Sequence, residues 1–244
     1  MKKAYFLALC FAAHVTCFGE EVKVFQSDFA NNRDLKGWED VWCQAGTKKV
    51  RPDLYSVVEE NGEVFYRVNK FQGKHIMFGL SHKLDKPITI DDNLVQIRVE
   101  VTLRKHKGNT AYQAGFALSS LVRLEGNQGQ AFWRGKDSGF LVMGNDYKDH
   151  VTGNKLSWQK DGAVSILHPP KKPCNFMTEL EKWLRWKVVY LHAEKELRFY
   201  RDAEDETPFL VQRNVDLSGV VLQSVWLAAF GNEYKDVQVF VTTK

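Results

Sequence analysis

Residues 94–104 read LVQIRVEVTLR, and the reading of this stretch decides the fold class. Val95, Ile97, Val99, Val101 and Leu103 occupy one parity, while Gln96, Arg98, Glu100, Thr102 and Arg104 occupy the other. Successive side chains of a β-strand point to opposite faces, so one face of this strand packs into a core and the other meets water or a ligand.

The same period-two signal recurs on both sides of it. Strands are predicted at 22–26, 54–59, 64–69, 75–80, 112–121, 139–144, 163–168, 184–192, 196–202, 209–213, 224–230 and 237–242, with turn signals such as ENGE, KGNT, EGNQG and KDG between them. Helical periodicity is confined to NFMTELEKW at 175–183, where Thr178 is placed to cap and Glu181 follows three residues on. Many strands, few helices and one core predict an all-β fold, two antiparallel sheets packed face to face as a jelly-roll sandwich. No repeat marks propeller blades and no boundary divides the chain, so residues 20–244 are read as one domain. Most of the irregular chain is expected at 145–183, which includes HPPKKP at 168–173.

Residues 1–19 have the layout of a signal peptide: Lys2 and Lys3, an apolar run over 4–13, then Gly19 before the acidic pair Glu20 and Glu21. The run falls short of the ~20 apolar residues that span a bilayer, and nothing later predicts a transmembrane segment. Cleavage after Gly19 places the protein outside the cytoplasm, secreted or periplasmic. Lipidation at Cys17 is the rival reading of the same segment, which His14, Val15 and Thr16 fit poorly.

Without Lys2 and Lys3 the chain keeps 32 basic side chains against 30 acidic ones, interleaved along its length. A nucleic-acid binder shows a clustered basic excess, so nucleic acid is not expected as a partner. The cysteines left after cleavage are Cys43 and Cys174. In an oxidising compartment they form a disulfide or stay as two thiols, and the sequence leaves both open. Closing so long a loop stabilises by about 4–5 kcal/mol on the chain-entropy view.

Three segments carry a resemblance. VFQSDFANNRDLKGW at 24–38, WLRWKVVYLHAEKELRFYRD at 183–202 and YKDVQVFVT at 234–242 resemble the opening strand, a hairpin and the closing strand of concanavalin A-like lectin/glucanase domains of the laminin-G and pentraxin sort. A narrower similarity, over about 95–242, is to secreted bacterial keto-disaccharide hydrolase domains. GFLVMGND at 139–146 and VTG at 151–153 follow that family's rhythm at Gly139, Phe140, Val142, Asp146, Thr152 and Gly153. Leu141 and Met143 stand where that family carries polar groove residues, and YQAGFAL at 112–118 only echoes its next strand. The resemblance implies a glycan or glycoside as partner. It also implies a structural calcium ion tying the chain ends together through Asp28 and Asp236, with backbone carbonyls completing an oxygen shell.

Glycoside hydrolysis normally needs two carboxylates. The spacing that places them on one strand in glucanases of this fold, Glu-x-Asp-x-x-Glu, is absent, and DAEDE at 202–206 reads as a solvated loop. Two candidates remain for acid–base work. Glu100 is flanked on its face by Arg98 and Arg104, which either line a groove or form cross-strand ion pairs. Asp146 follows a strand, with Tyr147 and His150 close behind, and either acts with them or caps a turn. Trp133, in GQAFWRGKD, and Trp158 are candidate platforms for sugar rings, while Trp186 and Trp226 are expected in the core. The expected function is a secreted carbohydrate-binding protein with a groove on one sheet. The alternatives are a glycoside hydrolase using Asp146 or Glu100, and an envelope protein of structural or adhesive role.

Overall fold

The computed structural model describes residues 19–40, 55–68, 78–105, 113–121, 137–145, 155–167, 182–230 and 232–244. Among them are fifteen strands: β1 (Glu21–Asp28), β2 (Trp38–Asp40), β3 (Tyr55–Glu60), β4 (Glu63–Val68), β5 (Phe78–Thr89), β6 (Leu94–Lys105), β7 (Gln113–Ser119), β8 (Gly139–Asn145), β9 (Lys155–Lys160), β10 (Ala163–Leu167), β11 (Leu184–Leu191), β12 (Glu196–Tyr200), β13 (Leu210–Gln212), β14 (Val221–Phe230) and β15 (Asn232–Thr243). No helix occurs among the described residues, so none there is long and apolar enough to cross a membrane. The helix expected at 175–183 lies almost wholly outside them.

The strands form two antiparallel sheets, as the alternation predicted. The first runs β13-β12-β11-β6-β15-β4-β3, with β1 also paired to β15; the second runs β10-β9-β8-β7-β14-β5-β2. Ile97, Val99, Val101 and Leu103 of β6 face the space between the sheets and meet Phe116, Leu118, Phe140, Val142, Val225 and Leu227 of the second sheet in one continuous core. The polar parity of β6 faces away from that core.

Local chemistry sets the hairpins. Asn61-Gly62 joins β3 to β4 and Asp161-Gly162 joins β9 to β10, all four residues at positive φ. Two-residue turns of this kind match the twist of the flanking strands, and Asn-Gly and Asp-Gly supply them at least cost. The second hairpin corrects one expectation. The stretch 145–183 is less irregular than its polar sequence suggested, because KLSWQK at 155–160 alternates and pairs with both β8 and β10.

β15 explains another difference. Alternation breaks at Lys235, so the sequence predicts a strand only from 237 onward. In the structure a register shift between Tyr234 and Asp236 absorbs that break. A bulge places two residues opposite one and changes which parity faces inward. Tyr234 and Val237 therefore both face the core, while Glu233 and Asp236 both face out. Tyr234 then reaches across the sandwich: its hydroxyl donates to the Gly115 carbonyl (3.2 Å) and accepts from the Gly115 amide (3.1 Å). Gly115 is required there, since a Cβ would lie 2.2 Å from the Val142 carbonyl oxygen.

Tyr234→Phe keeps the ring and removes both of these bonds. The expected cost is about 1–3 kcal/mol, or roughly 2–4 °C of Tm per kcal/mol for a chain of this size, measured by calorimetry against wild type. An unchanged Tm would show that the link across the core is not used.

Candidate functional site

The outward faces of the two sheets have different chemistry. On the first sheet, Glu100 is buried between Arg98 and Arg185, and both guanidiniums pair with its carboxylate. Arg98 also binds Glu21 at 2.5 Å, holding the Glu21 carboxyl below the usual carboxylate range, and lies 3.8 Å from the centre of the Phe240 ring. A second group surrounds Glu233, which has no solvent exposure. Arg67 (2.6 Å) and Arg104 (2.5 Å) donate to its two oxygens, and the Arg104 guanidinium also stacks on Phe65 and Trp183. Each buried carboxylate thus has two arginines, the arrangement that offsets the cost of taking a charge out of water.

β6 belongs to the first sheet and β8, which leads to Asp146, belongs to the second. Glu100, Arg98 and Arg104 are therefore separated from the 139–145 strand by the thickness of the core. Asp28 and Asp236 stand directly opposite each other on β1 and β15, on this same outer face. Asp28 accepts from the Ala30 amide (2.9 Å) and the Asn31 side chain (2.8 Å), and Gln238 approaches Asp236 at 3.4 Å. Among the described residues, no third carboxylate or histidine joins them. Asp146, Tyr147, His150, Trp133, Cys43 and Cys174 lie outside the described residues.

On the second sheet the outward parity mixes small side chains with a few larger apolar ones. Cross-strand pairing aligns Ser81, Trp226, Ala117, Leu141, Ser157 and Ile166 in one row. The adjacent row runs Ser224, Ser119, Gly139, Gln159 and Val164. Leu141 and Met143 do face outward here, as the resemblance implied, and they are buried. Trp226, expected in the core, is buried to 8% exposure but on this outer face instead. Its indole N–H is held by Ser224 Oγ (2.6 Å) and the Leu121 carbonyl (3.3 Å).

That anchorage runs on to a buried carboxylate. Asp137 accepts from Ser119 Oγ (2.6 Å), Ser120 Oγ (2.8 Å) and the Ser138 amide (2.7 Å), and the Ser120 carbonyl accepts from Gln223. Burial pushes the Asp137 carboxyl up, against these bonds. The turn that carries the Leu121 carbonyl is thereby fixed to the start of β8.

At the other side of the face stands Gln159, 1% exposed, with neither its Oε1 nor its Nε2 hydrogen-bonded. A buried polar group without a partner costs about 1–3 kcal/mol, and such groups are few in native proteins. Beside it on the edge strand β10, Val164 and Ile166 are 39% and 43% exposed. Lys155, on the same parity of β9, has its ammonium pushed down to about 8 by burial.

The sequence did not single out Gln159, Trp226 or this row of small residues. The signal was present: Gly115, Ala117 and Ser119 alternate with Phe116 and Leu118, and Lys155, Ser157 and Gln159 alternate with Leu156 and Trp158. Small side chains on one parity let other groups pack closely over a face, and here Ala117, Ser119 and Ser157 are all buried.

No protein-family model matches the sequence, and no curated protein does. Solved structures match over nearly the whole chain. Peanut lectin in complex with a nine-residue peptide aligns at 11% identity over 92% of this chain and 99% of its own, with a TM-score of 0.52. A Bacillus subtilis protein of unknown function with a galectin-like fold aligns at 10% identity over 93% and 99%, with a TM-score of 0.55. Arcelin-5, a lectin-like defence protein from Phaseolus vulgaris, aligns at 10% identity over 92% and 98%, with a TM-score of 0.51. The fold is the concanavalin A-like lectin/glucanase jelly roll.

The depressed Lys155 pKa fixes a pH dependence. Below about pH 8 the ammonium is charged in both states and the folded state bears its desolvation. Between about 8 and the ordinary value of 10.5 the folded state loses the proton first, so stability rises with pH. Denaturant titrations from pH 7 to 10 should show wild type gaining on Lys155→Met across that window. A constant difference between the two proteins contradicts the assignment.

Proposed function

We propose that the protein is a secreted or periplasmic carbohydrate-binding protein whose site is the outer face of the second sheet. The observation that carries this is the cross-strand row on that face, which runs from the tethered Trp226 indole on β14 to the exposed Val164 and Ile166 on the edge strand β10. Sugars present C–H faces that pack on aromatic rings and hydroxyls that need amide and hydroxyl partners. From β14 to β10 is four strand spacings, roughly 19 Å, a span that suits a short oligosaccharide. The lectins among the structural neighbours share this fold, and their ligands motivate the test without supplying it. Secretion is supported by the leader-like residues 1–19, just before β1 opens at Glu21.

Binding is favoured over hydrolysis by where the carboxylates stand. Among the described residues the outward parity of this sheet carries Glu39, at the β2 edge, and the exposed Asp85 of β5, and Asp137 lies before β8 with its oxygens taken by Ser119, Ser120 and Ser138. Asp137 is three to four strand spacings from the other two, roughly 14–19 Å, beyond the ~10 Å that a two-carboxylate mechanism spans. Glu100 is on the other sheet.

A glycan array probed with the chain lacking residues 1–19 tests the reading. Binding to at least one oligosaccharide class is expected, with Trp226→Ala weakening it tenfold or more while the fold persists. A folded protein that takes no sugar sinks the proposal and leaves the structural or adhesive role.

Calcium belongs to the same proposal. Like charges directly opposite on neighbouring strands repel, and a cation between Asp28 and Asp236 would relieve this, with backbone carbonyls and water completing the shell. Calcium is expected to raise Tm in wild type and not in Asp236→Asn; equal Tm with calcium and with chelator removes it.

A further inference from the structure

We infer that the edge strand β10 takes a second copy of this chain, antiparallel across a twofold axis at Ser165, so that two second sheets join into one. This goes beyond the carbohydrate reading and does not rest on it.

Among the described residues, five strands stand at sheet edges: β1, β3 and β13 in the first sheet, β2 and β10 in the second. An open edge offers unpaired amides and carbonyls to another strand, and native proteins blunt it with charge, bulges or short length. Four of the five are blunted. β2 and β13 are three residues long. β1 carries Glu21, Lys23 and a register shift before Phe25. β3 ends in Glu59 and Glu60. β10 reads AVSIL, with no charge, proline or glycine, and its pairing with β9 runs through all five residues without a shift.

The strand is held on its inner side and open on its outer one. Ser165 Oγ accepts from the Gln212 amide of β13 (2.8 Å) and Leu167 packs against the core, which fixes the inward parity. On the outward parity Val164 and Ile166 are exposed, although their cross-strand partners Gln159 and Ser157 are buried. The cover over β9 therefore stops short of β10.

The sequence of the strand is its own complement. A twofold axis that pairs two antiparallel copies of one strand stands perpendicular to the sheet, so it pairs residues of the same parity. Centred on Ser165, it sets Val164 opposite Ile166 twice on the outer face, and Ala163 opposite Leu167 twice on the inner face. Aliphatic pairs of this kind are what stabilise neighbouring strands. The chain after Gly19 carries 32 basic against 30 acidic side chains, so two copies meet without strong net repulsion. A five-residue edge is small beside the ~800 Å² per partner of a standard interface, so the dimer is expected to be reversible.

The test is sedimentation equilibrium of the chain lacking residues 1–19, over about a hundredfold range of concentration up to the millimolar. Wild type is expected to pass from monomer toward dimer as concentration rises. Val164→Lys with Ile166→Lys puts like charges opposite each other across the axis and should abolish the dimer; both positions are exposed, so the Tm should stay near that of wild type. Val164→Lys with Ile166→Glu sets opposite charges face to face and should restore the dimer, which a mere loss of apolar surface would not do. A wild type that is monomeric throughout, or a dimer indifferent to Val164→Lys with Ile166→Lys, overturns the inference and leaves β10 to a ligand or to another protein. A dimer that Val164→Lys with Ile166→Glu fails to restore overturns the register. No sugar is present, so the result is separate from that of the glycan array.

Discussion

The pairing of β15 is the constraint on which the rest of the structure depends. This strand lies along β6 on one side, and β1 and β4 share its other edge. The first strand of the fold is therefore held by the last, and the first sheet cannot close until the whole chain is present. Contacts so distant in sequence demand loop-closure entropy before they reward it. The bulge at Lys235 makes this strand serve both faces. It turns Tyr234 inward to bond the second sheet at Gly115 and turns Glu233 outward to gather Arg67 and Arg104.

From this frame follow two outer faces of opposite character. The outward parity of the first sheet is filled with carboxylates and guanidiniums that satisfy one another, with Phe65, Trp183 and Phe240 beneath the cations. The charges of that face neutralise one another within it. The second sheet carries small side chains, a tethered tryptophan, the exposed Val164 and Ile166, and a buried amide with no hydrogen-bond partner among the described residues. A face whose charges neutralise one another has little to offer a ligand, whereas one with exposed aliphatic side chains beside a tethered ring has apolar surface left to cover. The site is therefore sought on the second sheet.

Much of the fold was legible. LVQIRVEVTLR announced its strand because burial of one face repeats every two residues, and ENGE and KDG announced their hairpins because Asn-Gly and Asp-Gly relieve the strain of positive φ. β9 escaped notice because Lys155, Ser157, Gln159 and Lys160 read as a polar loop when outward residues are assumed to meet water. The length of β15 was cut short because a bulge looks, in sequence, like the end of alternation. The site was less legible. Glu100 drew attention as a carboxylate between cations, and its second arginine proved to be Arg185, from another part of the chain. Trp226 was assigned to the core because it sits within a strand; a place in a strand does not by itself say which side of the sheet a residue is on.

The sequence by itself determined the strands, their inward parities and the chemistry of their turns, because these depend on backbone alternation and on dihedral preferences within a few residues. Only the tertiary structure decided which sheet each strand joins. That choice set Glu100 among arginines on the first sheet and placed Gln159, Val164 and Trp226 on one face of the second. Strand pairing joins segments far apart in the chain through backbone bonds that are the same for every residue, so it leaves no periodic trace from which the meeting of particular side chains can be read.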